Sequence, residues 1–148
     1  MVLIFCLSSQ NAELSSQTSG SVIESVADIF YPGFSDMSAA EQGEIIAAFQ
    51  FIARKTAHFS LYAVLGLLSF LSVISYRNLK YRFRLLISAG ICLLYAASDE
   101  FHQLFVSGRS GEIRDICIDF SGSLIAITVS ALLSRYIKRI YKHIRTVD

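Results

Sequence analysis

The chain has 148 residues, of which 53% are hydrophobic and only 17% charged, with a formal net charge of +1 and a mean hydropathy of +0.52. A soluble domain this small cannot bury so much apolar surface, so the composition points away from an ordinary water-soluble fold and towards one domain of membrane helices. No Lys/Arg cluster is interleaved with base-stacking aromatics, so no nucleic-acid partner is expected. Cys6, Cys92 and Cys117 form no CxxC pair, which leaves no basis for a disulfide framework or a zinc ribbon.

In chain order, the first apolar stretch is residues 1–9, "MVLIFCLSS". It is too short to cross about 30 Å of hydrocarbon, and it lacks the basic start and small-residue cleavage site of a signal peptide. It reads as a partial span. Residues 21–53 follow as a polar but patterned segment. Ser21 to Glu24 and Ser38 to Glu41 both fit the capping box, in which Ser and Glu satisfy each other's orphan helix-end donors. Val22, Val26 and Ile29, then Ile45, Phe49 and Ile52, recur at helical spacing. Two short amphipathic helices are expected, parted by the turn "YPGFSD" and lying along the outer face.

Three apolar runs are long enough to span: residues 57–76, 83–105 and 115–137. The expected fold is therefore an all-α integral membrane bundle of three full spans, the partial N-terminal one and the short outer helices. Arg77, Lys80, Arg82 and Arg84 crowd the loop after the first full span, and Arg135, Lys138, Arg139, Lys142 and Arg145 crowd the tail. The positive-inside rule puts both segments, and so the C-terminus, in the cytoplasm. The last span carries Gly122, Ala126, Ser130 and Ser134 at four-residue intervals, a small-residue strip that lets another helix approach, from this chain or from a second copy.

On this topology the ionisable groups of all three spans fall at one depth, near the outer boundary. Lys55, His58 and Tyr62 share one helical face, as do Asp99, His102 and Gln103 with Glu100 beside them, and Asp115 with Asp119. Charges left facing lipid cost several kcal/mol, so these stripes are expected to turn inward and meet. Gly108 and Gly111 allow tight or left-handed turns in the connecting loop, from which Arg109 and Arg114 can fold over the carboxylates or grip an anionic group. A buried ion-pair network that only fixes helix register would explain one or two such pairs, but strains to explain so many groups from three helices and a loop.

Two chemical readings compete with simple binding. A metal could draw on His58, His102, Asp99 and Asp119, but no HExxH or comparably tight spacing supports it, and neither metal nor other cofactor is expected. Acid–base work by a His–Asp or His–Glu pair is geometrically open, yet no nucleophile motif accompanies it, so binding is favoured over catalysis. Lys55, Arg109 and Arg114 beside carboxylates and imidazoles suit a zwitterionic or anionic head group at the outer leaflet: a membrane lipid, a cell-wall precursor or an amphiphilic antibiotic.

Three blocks, "IFCLSSQ", "RKTAHFSLYAVLGLL" and "YAASDEFHQLFVSGRSGEIRDICIDFSG", resemble the VanZ-like family of bacterial membrane proteins. The D-E-x-H-Q, G-R-S and R-D-x-x-x-D pattern of the last block is specific. The resemblance implies a small multi-spanning protein of the cell envelope, usually with a complete first span ending in I-F-x-x-S-S-Q, so this chain is expected to begin inside that span. The family's namesake is associated with lowered susceptibility to the lipoglycopeptide teicoplanin, whereas most relatives occur outside resistance operons, so the resemblance implies a general cell-envelope role. The resemblance carries over no catalytic residue.

Overall fold

The computed structural model describes residues 22–76, 78–106 and 111–144, excepting the side chain of Tyr141. The partial span, Ser21 and Arg109 lie outside the described residues. The described chain is all helical. Residues 22–30 form α1, a 3-10 turn covers Phe34–Asp36, and three long helices follow: α2 (Ala39–Ile74), α3 (Tyr81–Gln103) and α4 (Ile113–Ile144).

The turn before α2 forms where "YPGFSD" predicts it, with Gly33 at φ 82°, a left-handed conformation that costs glycine little. Helix α1 presents most of the expected apolar stripe outward, as a helix lying along an interface does, and Val26 of that stripe is half-buried. Ile23 and Ala27 are its buried residues, whereas Val22 and Ile29 are exposed. Both stripes have helical spacing, and only the neighbouring chain decides which is covered.

Ser38 caps α2 as expected: its hydroxyl accepts from the Glu41 N–H, while the Glu41 carboxylate accepts from the Ser38 N–H at 2.9 Å. Ser38→Ala should therefore destabilise the N-terminal end of α2 by about 1 kcal/mol. Faster hydrogen exchange over the first turn of α2, with the rest of the bundle unchanged, is the expected signature.

The amphipathic segment and the first full span were expected as separate pieces, but α2 joins them in one helix of 36 residues. Between Gly43 and Gly66 there is neither glycine nor proline to stop it, and Arg54, Lys55 and His58 are polar without being helix breakers. At 1.5 Å per residue α2 is about 54 Å long, well beyond the hydrocarbon thickness.

Among the described residues two helices, α2 and α4, are long and apolar enough to cross a membrane. The third, α3, has charge at both ends: only residues 85–98 separate Arg84 from Asp99. Large apolar side chains such as Leu68, Leu71, Leu94, Phe101, Val129, Leu132 and Leu133 are each more than half exposed on the bundle's exterior. In water such a surface would drive association, whereas in lipid it needs no cover.

The three long helices pack up, down and up, with α2 against α4 as the principal contact. Tyr62, Leu65, Phe70, Cys92, Ala96, Ile127 and Ala131 form the apolar core. Side-chain contacts pair Lys55 with Asp115, His58 with Asp119, and the Ser123 hydroxyl with the Tyr62 carbonyl, so α2 and α4 run parallel in near-constant register. Helix α3 is antiparallel to both: Ser69 donates to the Ser88 carbonyl near one end, and Glu100 accepts from the Glu112 N–H near the other.

Close approach of α2 and α4 depends on glycine from each side. A Cβ on Gly66 would lie 2.5 Å from the Ser123 carbonyl oxygen, and one on Gly122 would lie 2.4 Å from that of Phe59. The first residue of the small strip thus packs within the chain, while Ala126, Ser130 and Ser134 are only half-buried.

Candidate functional site

The parallel register of α2 and α4 turns the two polar stripes of the sequence into a ladder. Its outermost rung is the ion pair of Lys55 and Asp115, whose side chains are 19% and 14% exposed. The second Asp115 oxygen is buried without a hydrogen-bond partner among the described residues. One turn deeper, His58 Nδ1 stands 3.5 Å from Asp119 Oδ2, and Asp119 is 1% exposed. A further turn in, Ser123 Oγ donates to the Tyr62 carbonyl at 2.9 Å. The Tyr62 ring is fully buried beside Tyr95, with 6.1 Å between ring centroids, and its hydroxyl has no hydrogen-bond partner among the described residues.

The third helix closes the side of this ladder. Asp99, 1% exposed, brings its carboxylate to the second rung, where one ligand atom from each of His58, Asp99 and Asp119 lies within 4.8 Å of the others. Two buried carboxylates and an imidazole thus converge from α3, α4 and α2. His102, half-buried one turn further along α3, lies outside that trio.

Glu100 and Gln103 are also buried, but their contacts are those of a clamp. Glu100 Oε1 accepts from Gln103 Nε2 at 3.1 Å, and Oε2 accepts from the Glu112 N–H at 2.9 Å. The carboxylate therefore satisfies an orphan donor at the start of α4 and ties that end to the C-terminus of α3. Gly111 serves the same junction by proximity: a Cβ there would lie 2.9 Å from the Glu100 carbonyl oxygen.

Arg114 does not fold over the buried carboxylates. Its guanidinium pairs with the neighbouring Glu112 at 3.0 Å, stays 63% exposed, and lies 5.7 Å from the centre of the Phe51 ring. Lys55 approaches the same ring at 5.2 Å. Two cations thus flank one aromatic at the mouth of the ladder, a geometry in which each is attracted to the ring face. Successive residues of a helix point about 100° apart, so with Asp115 turned in to Lys55 the preceding Arg114 faces away from the cluster.

Sequence reasoning did not single out Gly66, Ser123 or Glu112. Ser123 extends the stripe of Asp115 and Asp119 by one more four-residue step, and Gly66 is a glycine inside an apolar run, a common mark of close helix approach. Glu112 enters through its backbone N–H, which no side-chain pattern reveals.

Apolar helices enclosing carboxylates and an imidazole define a helical membrane protein with a buried polar centre. The chain belongs to the VanZ/LLP1 family, whose model matches residues 1–134. No curated protein and no solved structure matches it at the significance required.

Proposed function

We propose that this VanZ/LLP1 protein is a multi-pass protein of the bacterial cell membrane that binds the head group of an amphiphilic envelope ligand. In this reading α2, α3 and α4 all cross the bilayer, with the partial N-terminal span as a fourth element. The basic C-terminal end of α4 is cytoplasmic, and the ladder opens to the outer leaflet. The ligand is a lipid, a lipid-linked cell-wall precursor or a lipoglycopeptide, and lowered teicoplanin susceptibility is one consequence of engaging it.

The observation that carries the proposal is the meeting of His58, Asp99 and Asp119 from three helices, next to the Lys55–Asp115 pair. A register lock needs one or two ion pairs, whereas this cluster gathers two buried carboxylates and an imidazole from three helices. Lys55 and Arg114 at its mouth, with Arg109 in the adjoining loop, supply cations for a phosphate or carboxylate.

A second reading is favoured by one contact. Asp119 beside His58 Nδ1 can orient the imidazole and leave Nε2 to take a proton, as a general base acting on a lipid head group requires.

Protein in nanodiscs with labelled anionic and zwitterionic lipids distinguishes these readings. Saturable binding that Asp99→Asn weakens at least tenfold, with no change in the lipid, supports the first. Turnover abolished by His58→Ala supports the second, and unchanged lipid behaviour in both folded variants overturns both. Topology has its own check. In a cysteine-free background, Ser107→Cys should react with an impermeant thiol reagent from outside and Asn78→Cys should not; the reverse pattern would overturn the outward placement.

A further inference from the structure

We propose that His58, Asp99 and Asp119 together hold a divalent metal ion of the zinc or manganese class. The inference rests on the reading of the cluster as a head-group site, in which the ion would provide the positive charge that meets a phosphate oxygen. Lys55, paired with Asp115, stays at the mouth as a more peripheral cation.

Geometry is the first argument. Ligand atoms about 2.0–2.2 Å from a tetrahedral ion stand about 3.3–3.6 Å from one another. His58 Nδ1 and Asp119 Oδ2 are 3.5 Å apart, longer than a well-formed hydrogen bond but matched to two ligands of one ion. The full trio fits within 4.8 Å, so a small rotation of a carboxylate completes the set.

Charge is the second argument. Asp99 and Asp119 are each 1% exposed, and two carboxylates sharing a low-dielectric site repel. A dication between them replaces that repulsion with attraction. One imidazole and two carboxylates suit zinc or manganese better than magnesium or calcium, which prefer all-oxygen shells.

The Tyr62 hydroxyl is an independent sign. It is fully buried with no hydrogen-bond partner among the described residues, one turn along α2 from His58. A buried polar group without a partner is rare. A water completing the shell of the ion would give the phenol its partner and leave the ion an exchangeable position for ligand. The sequence groups these three with His102 as possible ligands, and only the packing of the three helices leaves His102 out.

The test uses the full chain purified in detergent, stripped with a chelator, and dialysed against buffered Zn2+ or Mn2+. About one ion per chain is expected, with a raised melting temperature. Asp119→Asn and His58→Ala should lower affinity at least a hundredfold, Tyr62→Phe about tenfold as an outer-shell partner, and Glu44→Gln, which removes an exposed carboxylate, not at all. Wild-type protein that takes up no ion, or folded Asp99→Asn and Asp119→Asn that bind like wild type, would overturn the proposal. Should those variants fail to fold, pulsed electron paramagnetic resonance of the Mn2+-loaded wild type decides. Coupling to one imidazole nitrogen is expected, and its absence overturns the assignment. Lipid binding by stripped protein separates the two ideas: head-group binding without ion uptake sinks the metal site alone, and ion uptake without head-group binding sinks the lipid reading alone.

Discussion

Gly122→Leu should leave little folded protein, and even Gly122→Ala should destabilise the bundle by about 2–3 kcal/mol. A Cβ at Gly122 would sit 2.4 Å from the carbonyl oxygen of Phe59 and 3.2 Å from its carbon. The obstacle is the backbone of α2, which cannot rotate aside as a long side chain could. The helices must part, and parting them lengthens the bond from Ser123 to Tyr62 and the contact between His58 and Asp119. Gly66→Ala meets the Ser123 carbonyl at 2.5 Å and should behave alike. Gly43 and Gly90 provide the contrast, because nothing lies within 4 Å of a Cβ at either. Alanine there should be neutral or stabilising by up to about 1 kcal/mol, as expected for glycine replaced in a helix. Thermal unfolding in detergent, followed by size-exclusion chromatography, reads both sets. Equal effects at Gly122 and Gly90 would contradict the close approach.

Lys55→Met should cost about 3 kcal/mol, while the double variant Lys55→Met, Asp115→Leu should recover most of that loss. Removing the lysine leaves the Asp115 carboxylate largely buried, with one oxygen already lacking a hydrogen bond. Uncompensated buried charge is far more damaging than the absence of the whole pair, so the apolar replacement of both partners is tolerated. The partial exposure of each side chain keeps the single-variant effect at the lower end of the range for buried pairs. A double-mutant cycle on unfolding free energies measures the coupling. Additive losses would mean that the pair does not act as a unit. Because Lys55 is also a candidate ligand contact, head-group binding by the double variant shows whether its charge matters beyond folding.

Much of the helical layout is legible in the chain because each helix has its own local cause. Apolar runs give α3 and α4 to within a few residues of the expected spans, apart from the basic extension of α4 to Ile144. The Ser38–Glu41 capping box fixes where α2 starts. The join between the amphipathic segment and the first span was misread, because polar residues look like a boundary while the backbone has no reason to break there. In α1 two stripes share helical spacing, and local periodicity cannot say which of them the rest of the chain covers.

The candidate site divides along the same line. By itself the sequence determined that Lys55, His58 and Tyr62 share one face, that Asp115 and Asp119 share another, and that all are too polar to be left against lipid, because helical period and desolvation act within one chain segment. Only the tertiary structure decided the partners. The parallel register of α2 and α4, set by backbone contact at Gly66 and Gly122, pairs Lys55 with Asp115 and His58 with Asp119. Helix α3 then delivers Asp99 to that second pair and leaves Glu100 to clamp the start of α4. Such pairings depend on steric contact between segments some sixty residues apart, and no spacing within the chain encodes them.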